Sequence, residues 1–125
     1  MERKTIAVVD DQPFICDLVK KLLGSDYEVH TFMNGKSMVD FAANKQIDLF
    51  LLDYDMPEMT GYEVLLALRT GKHNAKTPAI FLTAETNERM KKEMLGRGAN
   101  DYLNKPINST ELRQCVKKYL SSVGG

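Results

Sequence analysis

The chain has no tryptophan, two cysteines, two histidines, four prolines and no net charge, its 17 Lys and Arg offsetting 17 Asp and Glu. Each shortage excludes something. Cys16 and Cys115 both lie inside apolar helical patterns, and two cysteines without nearby histidines make neither a disulfide scaffold nor a zinc site. A balanced charge gives no basic excess to neutralise a phosphate backbone, so no direct nucleic-acid partner is expected. Apolar blocks such as residues 49–52 and 79–82 fall far short of the ~20 residues a bilayer span needs. Residues 1–5 are largely charged, with no apolar signal-peptide core after them, so a cytoplasmic protein without membrane attachment is expected.

What the chain does contain is core-forming material. Of its 125 residues, 32 are Leu, Ile, Val or Phe, above the ~20% level typical of disordered chains. The length suits a single domain over residues 1–125, with the fold over about 5–120 and 121–125 as a flexible tail. Apolar segments alternate between two periods. Thr5–Val9 reads as a strand ending in Asp10-Asp11. Phe14, Ile15, Leu18, Val19, Leu22 and Leu23 then recur at helical spacing until Gly24. Strands follow at 27–32, Leu49–Asp53, Ala79–Thr83 and Asp101–Asn104. Between them lie a weak helix around Met38, Phe41 and Ala42, one at 62–68, and one of low apolar content at 87–95. Leu112, Cys115, Val116, Tyr119 and Leu120 face a last helix, with Asn108 and Glu111 spaced as a capping box.

Five strands alternating with helices predict a parallel sheet covered on both faces. The first, third and fourth strands are near-continuous apolar runs, as strands buried on both sides must be. The second carries Glu28, His30 and Thr31, and the fifth Asp101 and Asn104, which suits sheet edges. A doubly wound, flavodoxin-like (βα)5 sheet of order 2-1-3-4-5 satisfies this.

In such a sheet every strand's carboxyl end lies on one rim, and ligands bind where the winding reverses. The first strand delivers Asp10 and Asp11 there, the third Asp53 and then Asp55, the fourth Thr83, the fifth Lys105 before Pro106. Singly, these have plain structural readings: Asp11 as a helix cap, Asp53 as a turn cap, Thr83 as a strand end, Lys105 as a surface lysine. Jointly they describe an oxygen-only ligand set suited to a hard cation such as Mg²⁺, an ammonium, and a carboxylate able to act as a nucleophile toward phosphorus.

The stretches Val8-Val9-Asp10-Asp11, Leu51-Leu52-Asp53-Tyr54-Asp55-Met56-Pro57-Glu58-Met59-Thr60-Gly61, Phe81-Leu82-Thr83-Ala84 and Gly98-Ala99-Asn100-Asp101-Tyr102-Leu103-Asn104-Lys105-Pro106 resemble the receiver domain of two-component response regulators over about residues 5–120. The resemblance implies roles. Asp53 would accept the phosphoryl group. Asp10 and Asp11 would hold Mg²⁺, joined by Asp53 and the Asp55 carbonyl. Lys105, Thr83 and the Ala84 amide would contact the phosphoryl oxygens, and the Lys105-Pro106 bond would be cis. Thr83 and Tyr102 would form a switch, although Tyr102 reads equally as an ordinary half-buried strand tyrosine. Met56-Pro57 and Gly61 would shape the loop after Asp53.

The implied partners are a sensor histidine kinase or phosphotransfer protein upstream and an output domain or protein downstream. The only expected chemistry is self-catalysed phosphoryl transfer and slow autodephosphorylation, without turnover of a separate substrate. Three other readings compete, one of them a receiver-like domain that signals through partners without phosphorylation, against which the complete acidic set and Lys105 argue. A haloacid-dehalogenase-type phosphatase would use Asp53-Tyr54-Asp55 as nucleophile and acid, but leaves Asp10-Asp11 unexplained and has no room for a cap. A flavodoxin-like cofactor binder needs free amides after the first strand, where Asp10-Asp11 would repel phosphate. The stretch 70–77 reads as a polar, somewhat basic surface loop with His73 exposed, and Met90 and Met94 as core filler.

Overall fold

The computed structural model describes residues 3–121. Among these, strands β1 (Thr5–Val9), β2 (Glu28–Phe32), β3 (Leu49–Asp53), β4 (Ala79–Thr83) and β5 (Asp101–Asn104) alternate with helices α1 (Pro13–Leu23), α2 (Gly35–Ala42), α3 (Gly61–Thr70), α4 (Glu88–Gly96) and α5 (Ser109–Leu120). The strands form one parallel sheet of order β2-β1-β3-β4-β5. No helix among the described residues is long and apolar enough to cross a membrane.

Two-residue periodicity divides the core. Ala7, Val9, Phe50, Leu52, Ala79 and Phe81 turn to one face, where Met38, Val64, Leu65 and Met94 of α2, α3 and α4 cover them. Ile6, Val8, Leu49, Leu51, Ile80 and Leu82 turn to the other, under Ile15, Val19, Leu112 and Val116 of α1 and α5. Burial on both faces is why β1, β3 and β4 are near-continuous apolar runs, polar only at an end, while β2 and β5, each paired on one side, tolerate polar residues within them.

Local details depart from the sequence expectations. β2 starts at Glu28 rather than 27. Phe14 stays 62% exposed, because the buried face of α1 is made by Ile15, Cys16, Val19 and Leu23 and Phe14 falls outside it. At α5, Asn108 accepts the Glu111 N–H, but the reciprocal half of the expected capping box is not formed. A complete box occurs instead at α3, where the Thr60 hydroxyl accepts the Glu63 N–H and the Glu63 carboxylate accepts the Thr60 N–H. Of the two methionines expected as core filler, Met94 is buried, whereas Met90 is only half-buried and belongs to neither core cluster. Ser121 closes α5 by donating its N–H to the Lys117 carbonyl; the rest of the expected tail lies outside the described residues.

The stretch 70–77 is not purely surface. His73 is exposed, but Asn74 and Thr77 are buried. The Asn74 amide donates to the carbonyls of Ala42 (3.0 Å) and Lys45 (2.9 Å), and its oxygen accepts from the Ile47 N–H (2.9 Å) and the Thr77 hydroxyl (3.0 Å). Arg69 donates to the carbonyls of Asn74 and Thr77. One side chain thus satisfies backbone groups where α2 ends and β3 begins, at the rim opposite the acidic residues. Asn74→Ala would leave those groups buried and unpaired, and the expected loss is about 2–4 kcal/mol in urea unfolding. A loss below about 0.5 kcal/mol, the scale of an ordinary surface substitution, would contradict it.

Candidate functional site

Register carries the acidic residues to one place. Val9 pairs with Leu52, so the next residues, Asp10 and Asp53, stand side by side at the ends of β1 and β3. Asp53 pairs with Leu82, and Thr83 pairs with Asn104, which puts Thr83 and Lys105 at the ends of β4 and β5. Asp11, Gln12, Asp53, Asp55, Ala84 and Lys105 line a cleft of about 290 Å³ on this rim.

Asp10 is fully buried, Asp53 is 2% exposed and Thr83 is 1% exposed, whereas Asp11 is open to solvent. The Lys105 ammonium sits between the two buried carboxylates, 2.9 Å from Asp10 Oδ2 and 3.2 Å from Asp53 Oδ1. Asp10 Oδ1 accepts the Gln12 N–H at 2.9 Å, and Asp53 Oδ1 is approached by the Asp55 N–H at 3.3 Å. Asp53 Oδ2 is buried and has no hydrogen-bond partner among the described residues. One oxygen each from Asp10, Asp11 and Asp53 fall within 4.8 Å of one another.

One ammonium does not balance three carboxylates. Burial, followed by the neighbouring charge of Asp10, pushes the Asp53 carboxyl up to about 7 against the pull of Lys105. Burial also works against the charge on Lys105, but its hydrogen bond to Asp10 and the attraction of both carboxylates hold it above the usual lysine range. The oxygen donor set and the unpartnered Asp53 Oδ2 fit a hard divalent cation: the donors are the right chemistry, and one buried oxygen lacks the partner that such groups normally have.

The loops that frame the site are held differently. Tyr54 donates its N–H to Leu82 (2.9 Å) and accepts from the Gly61 N–H (3.0 Å). A Cβ at Gly61 would stand 2.5 Å from the Asp53 carbonyl oxygen and 2.9 Å from Tyr54 Cα, so only glycine lets α3 start this close to the end of β3. Arg97 donates to the Tyr54 hydroxyl at 2.7 Å and lies over the Tyr62 ring. Across the cleft, Thr83 Oγ1 accepts the Glu85 N–H at 3.0 Å. Tyr102 is half-buried against the α2–α4 side of the core, with the Lys91 ammonium 5.1 Å from its ring centre. The Lys105-Pro106 peptide is cis.

Every residue singled out from the sequence for the cleft therefore lies at or beside it, while Tyr102 stands further along β5. The sequence reading gave no role to Gln12, Arg97 or Asn104. Asn104 lies inside the last matching stretch, next to Lys105, and that adjacency is the signal that could have marked it.

A strand-end acidic cluster paired to one lysine on a doubly wound parallel sheet defines a class of α/β proteins with chemistry at the carboxyl rim. The response regulator receiver domain family matches residues 6–117, and the chain belongs to that family. It is 36% identical over 118 residues to the transcriptional regulatory protein PcoR of Escherichia coli, covering 94% of this chain and 51% of PcoR. The chain spans about half or less of the length of the curated relatives it matches. Among solved structures it is similar to the chemotaxis protein CheY4 of Vibrio cholerae, with TM-score 0.88, 32% identity and coverage of 94% of this chain and 99% of that one. It is also similar to the receiver domain of the sensor histidine kinase PA1611 of Pseudomonas aeruginosa. There the TM-score is 0.86 and the identity 28%, with coverage of 98% and 100%; that structure has a magnesium ion coordinated in its active-site cleft.

The raised Asp53 carboxyl has a consequence for stability. A carboxyl whose folded value lies above its unfolded value near 4 contributes stability at low pH that is lost as pH rises through the folded value, here about 7. Asp53→Asn cannot ionise and escapes that loss. In EDTA it should melt above wild type at pH 8, by about 1–3 kcal/mol of added stability, with the gap shrinking toward pH 5. A variant melting below wild type at pH 8 would show that the Asp53 charge is net stabilising.

Proposed function

We propose that this chain is a phosphorylation switch, taking a phosphoryl group from a phosphohistidine of a sensor histidine kinase or phosphotransfer protein onto Asp53. The observation that carries the reading is the Lys105 ammonium shared between buried Asp10 and Asp53 beside the exposed carboxylate of Asp11. Family membership supports it. An Asp53 oxygen attacks phosphorus in line; the O–P bond forms as the P–N bond breaks, and the imidazole nitrogen leaves with the bonding electron pair. Asp53 must be ionised to attack, and Lys105 stabilises that form.

Asp10, Asp11, Asp53 and the Asp55 carbonyl are the groups that would hold Mg²⁺. When bound, it supplies positive charge for the phosphoryl oxygens, the main requirement of phosphoryl transfer. Lys105 donates to a phosphoryl oxygen from the other side. Thr83 Oγ1 accepts a hydrogen bond from its own loop, so its O–H proton stays available to a phosphoryl oxygen, and Ala84 offers its N–H from the cleft wall. The aspartyl phosphate carries more negative charge than the carboxylate and new acceptor oxygens. These draw Thr83 and Lys105 inward and shift α4, β5 and α5, with Tyr102, between two populated states that an output domain or protein distinguishes. The chain acts as a single receiver unit, labelling itself stoichiometrically without a separate substrate.

With Mg²⁺ and a small phosphodonor such as acetyl phosphate, intact-mass measurement should show one added phosphoryl group on wild type and none on Asp53→Asn. Equal uptake by both would remove Asp53 as the acceptor. Asp11→Ala should weaken Mg²⁺ binding at least about tenfold in titration; an unchanged affinity would put the ion elsewhere.

A further inference from the structure

Asn104 closes β5 and pairs across the sheet with Thr83. It stands outside the group of side chains lining the cleft, yet its amide is aimed at the loop that forms one wall of it. Asn104 Nδ2 donates to the Glu85 carbonyl at 2.6 Å and reaches the Thr83 carbonyl at 3.4 Å. The next residue reinforces the link: the Lys105 N–H donates to the same Thr83 carbonyl at 2.7 Å. Within the loop, Thr83 Oγ1 accepts the Glu85 N–H at 3.0 Å. Residues 83–85 are thus a closed turn tied to the segment that carries Lys105.

We propose that Asn104 is a positioning residue that locks the Thr83-Ala84 turn to Lys105, so that hydroxyl, amide and ammonium meet a phosphoryl group as one preformed cradle. This rests on the phosphoryl-acceptor function proposed above. The chemistry of the side chain fits the task. Both contacts are to carbonyl oxygens, so the position needs N–H donors, which an amide has and a carboxylate or aliphatic side chain lacks. Without the tie, the backbone bond from Lys105 would still hold Thr83, but Glu85 and the far side of the turn would be free to drift from β5. Ordering them again on binding would subtract from affinity for the phosphoryl group. The cation donors Asp10 and Asp11 follow β1 and Asp53 ends β3, and the side chain of Asn104 bonds to none of them, which separates this role from general upkeep of the site.

The test uses beryllium trifluoride, a stable stand-in for a phosphoryl group, titrated at saturating Mg²⁺, with Mg²⁺ alone titrated in parallel. Asn104→Leu should bind beryllium trifluoride about fivefold to twentyfold more weakly than wild type, the scale of one or two neutral hydrogen bonds, with Mg²⁺ affinity unchanged. Asn104→Gln, which keeps the donors, should recover part of the loss. If thermal melts show that Asn104→Leu does not fold, Asn104→Ser, too short to reach Glu85, takes its place with the same expectation. Unchanged beryllium trifluoride affinity, or parallel weakening of both ligands, would overturn the positioning role. Failure of wild type itself to bind beryllium trifluoride would overturn the acceptor function instead.

Discussion

The site depends on one cation serving two buried anions. Lys105 lies about equally close to Asp10 and Asp53, and neither carboxylate is exposed to more than a trace of solvent. An isolated ionised carboxylate in such a place would be prohibitively unstable, and a single lysine compensates one charge rather than two. The shortfall is visible in the raised Asp53 carboxyl and in its unpartnered Oδ2. A site in this condition gains from anything that brings positive charge, and under the proposed function the Asp53 oxygen that Lys105 does not already occupy is the one left to attack phosphorus. The imbalance that weakens the fold is the same one that makes the rim chemically useful.

That imbalance is held in place by the sheet. β1, β3 and β4 are buried on both faces, and their side chains interlock with helices above and below. Strand slippage by one residue would turn every apolar side chain to the wrong face. The core therefore fixes register, and register fixes Asp10 beside Asp53. Repulsion between the carboxylates cannot be relieved by moving the strands apart without opening the core. The remaining routes are protonation, a cation, or chemistry at Asp53.

Much of this was legible in the residues. The contrast between uninterrupted apolar strands and the polar-laced second and fifth gave the strand order, since burial on two faces and on one leave different compositions. Acidic residues directly after apolar runs gave the rim, because a parallel sheet aligns its strand ends. What was not legible depends on contacts between distant segments. Asn74 sits in a run of loop-forming polar residues, and nothing local says that Ala42, Lys45 and Ile47 will present backbone groups for it to satisfy. Asn108 and Glu111 have capping-box spacing but form half of it, whereas the complete box is at Thr60 and Glu63, directly after an acidic, proline-containing stretch. Arg97 reads as one basic residue of a polar helix end until Tyr54 and Tyr62 are seen beside it.

The two walls of the cleft differ in how firmly they are held, and this bears on where a change at Asp53 would travel. On the α3 side, the backbone of Tyr54 is bonded to β4 and to Gly61, and α3 starts in a complete capping box made by Thr60 and Glu63. On the other side, the turn at 83–85 rests on its own hydroxyl bond and on the contacts from Asn104 and Lys105. Beyond it α4 anchors Met94 alone deep in the core, and β5 is an edge strand half-buried along its length. Few buried apolar contacts and an unpaired edge are the marks of a low-stability segment. Under the proposed function, the α3 wall is the fixed frame against which charge develops, and the α4–β5 side is where the energy of a new phosphoryl group can be spent on movement.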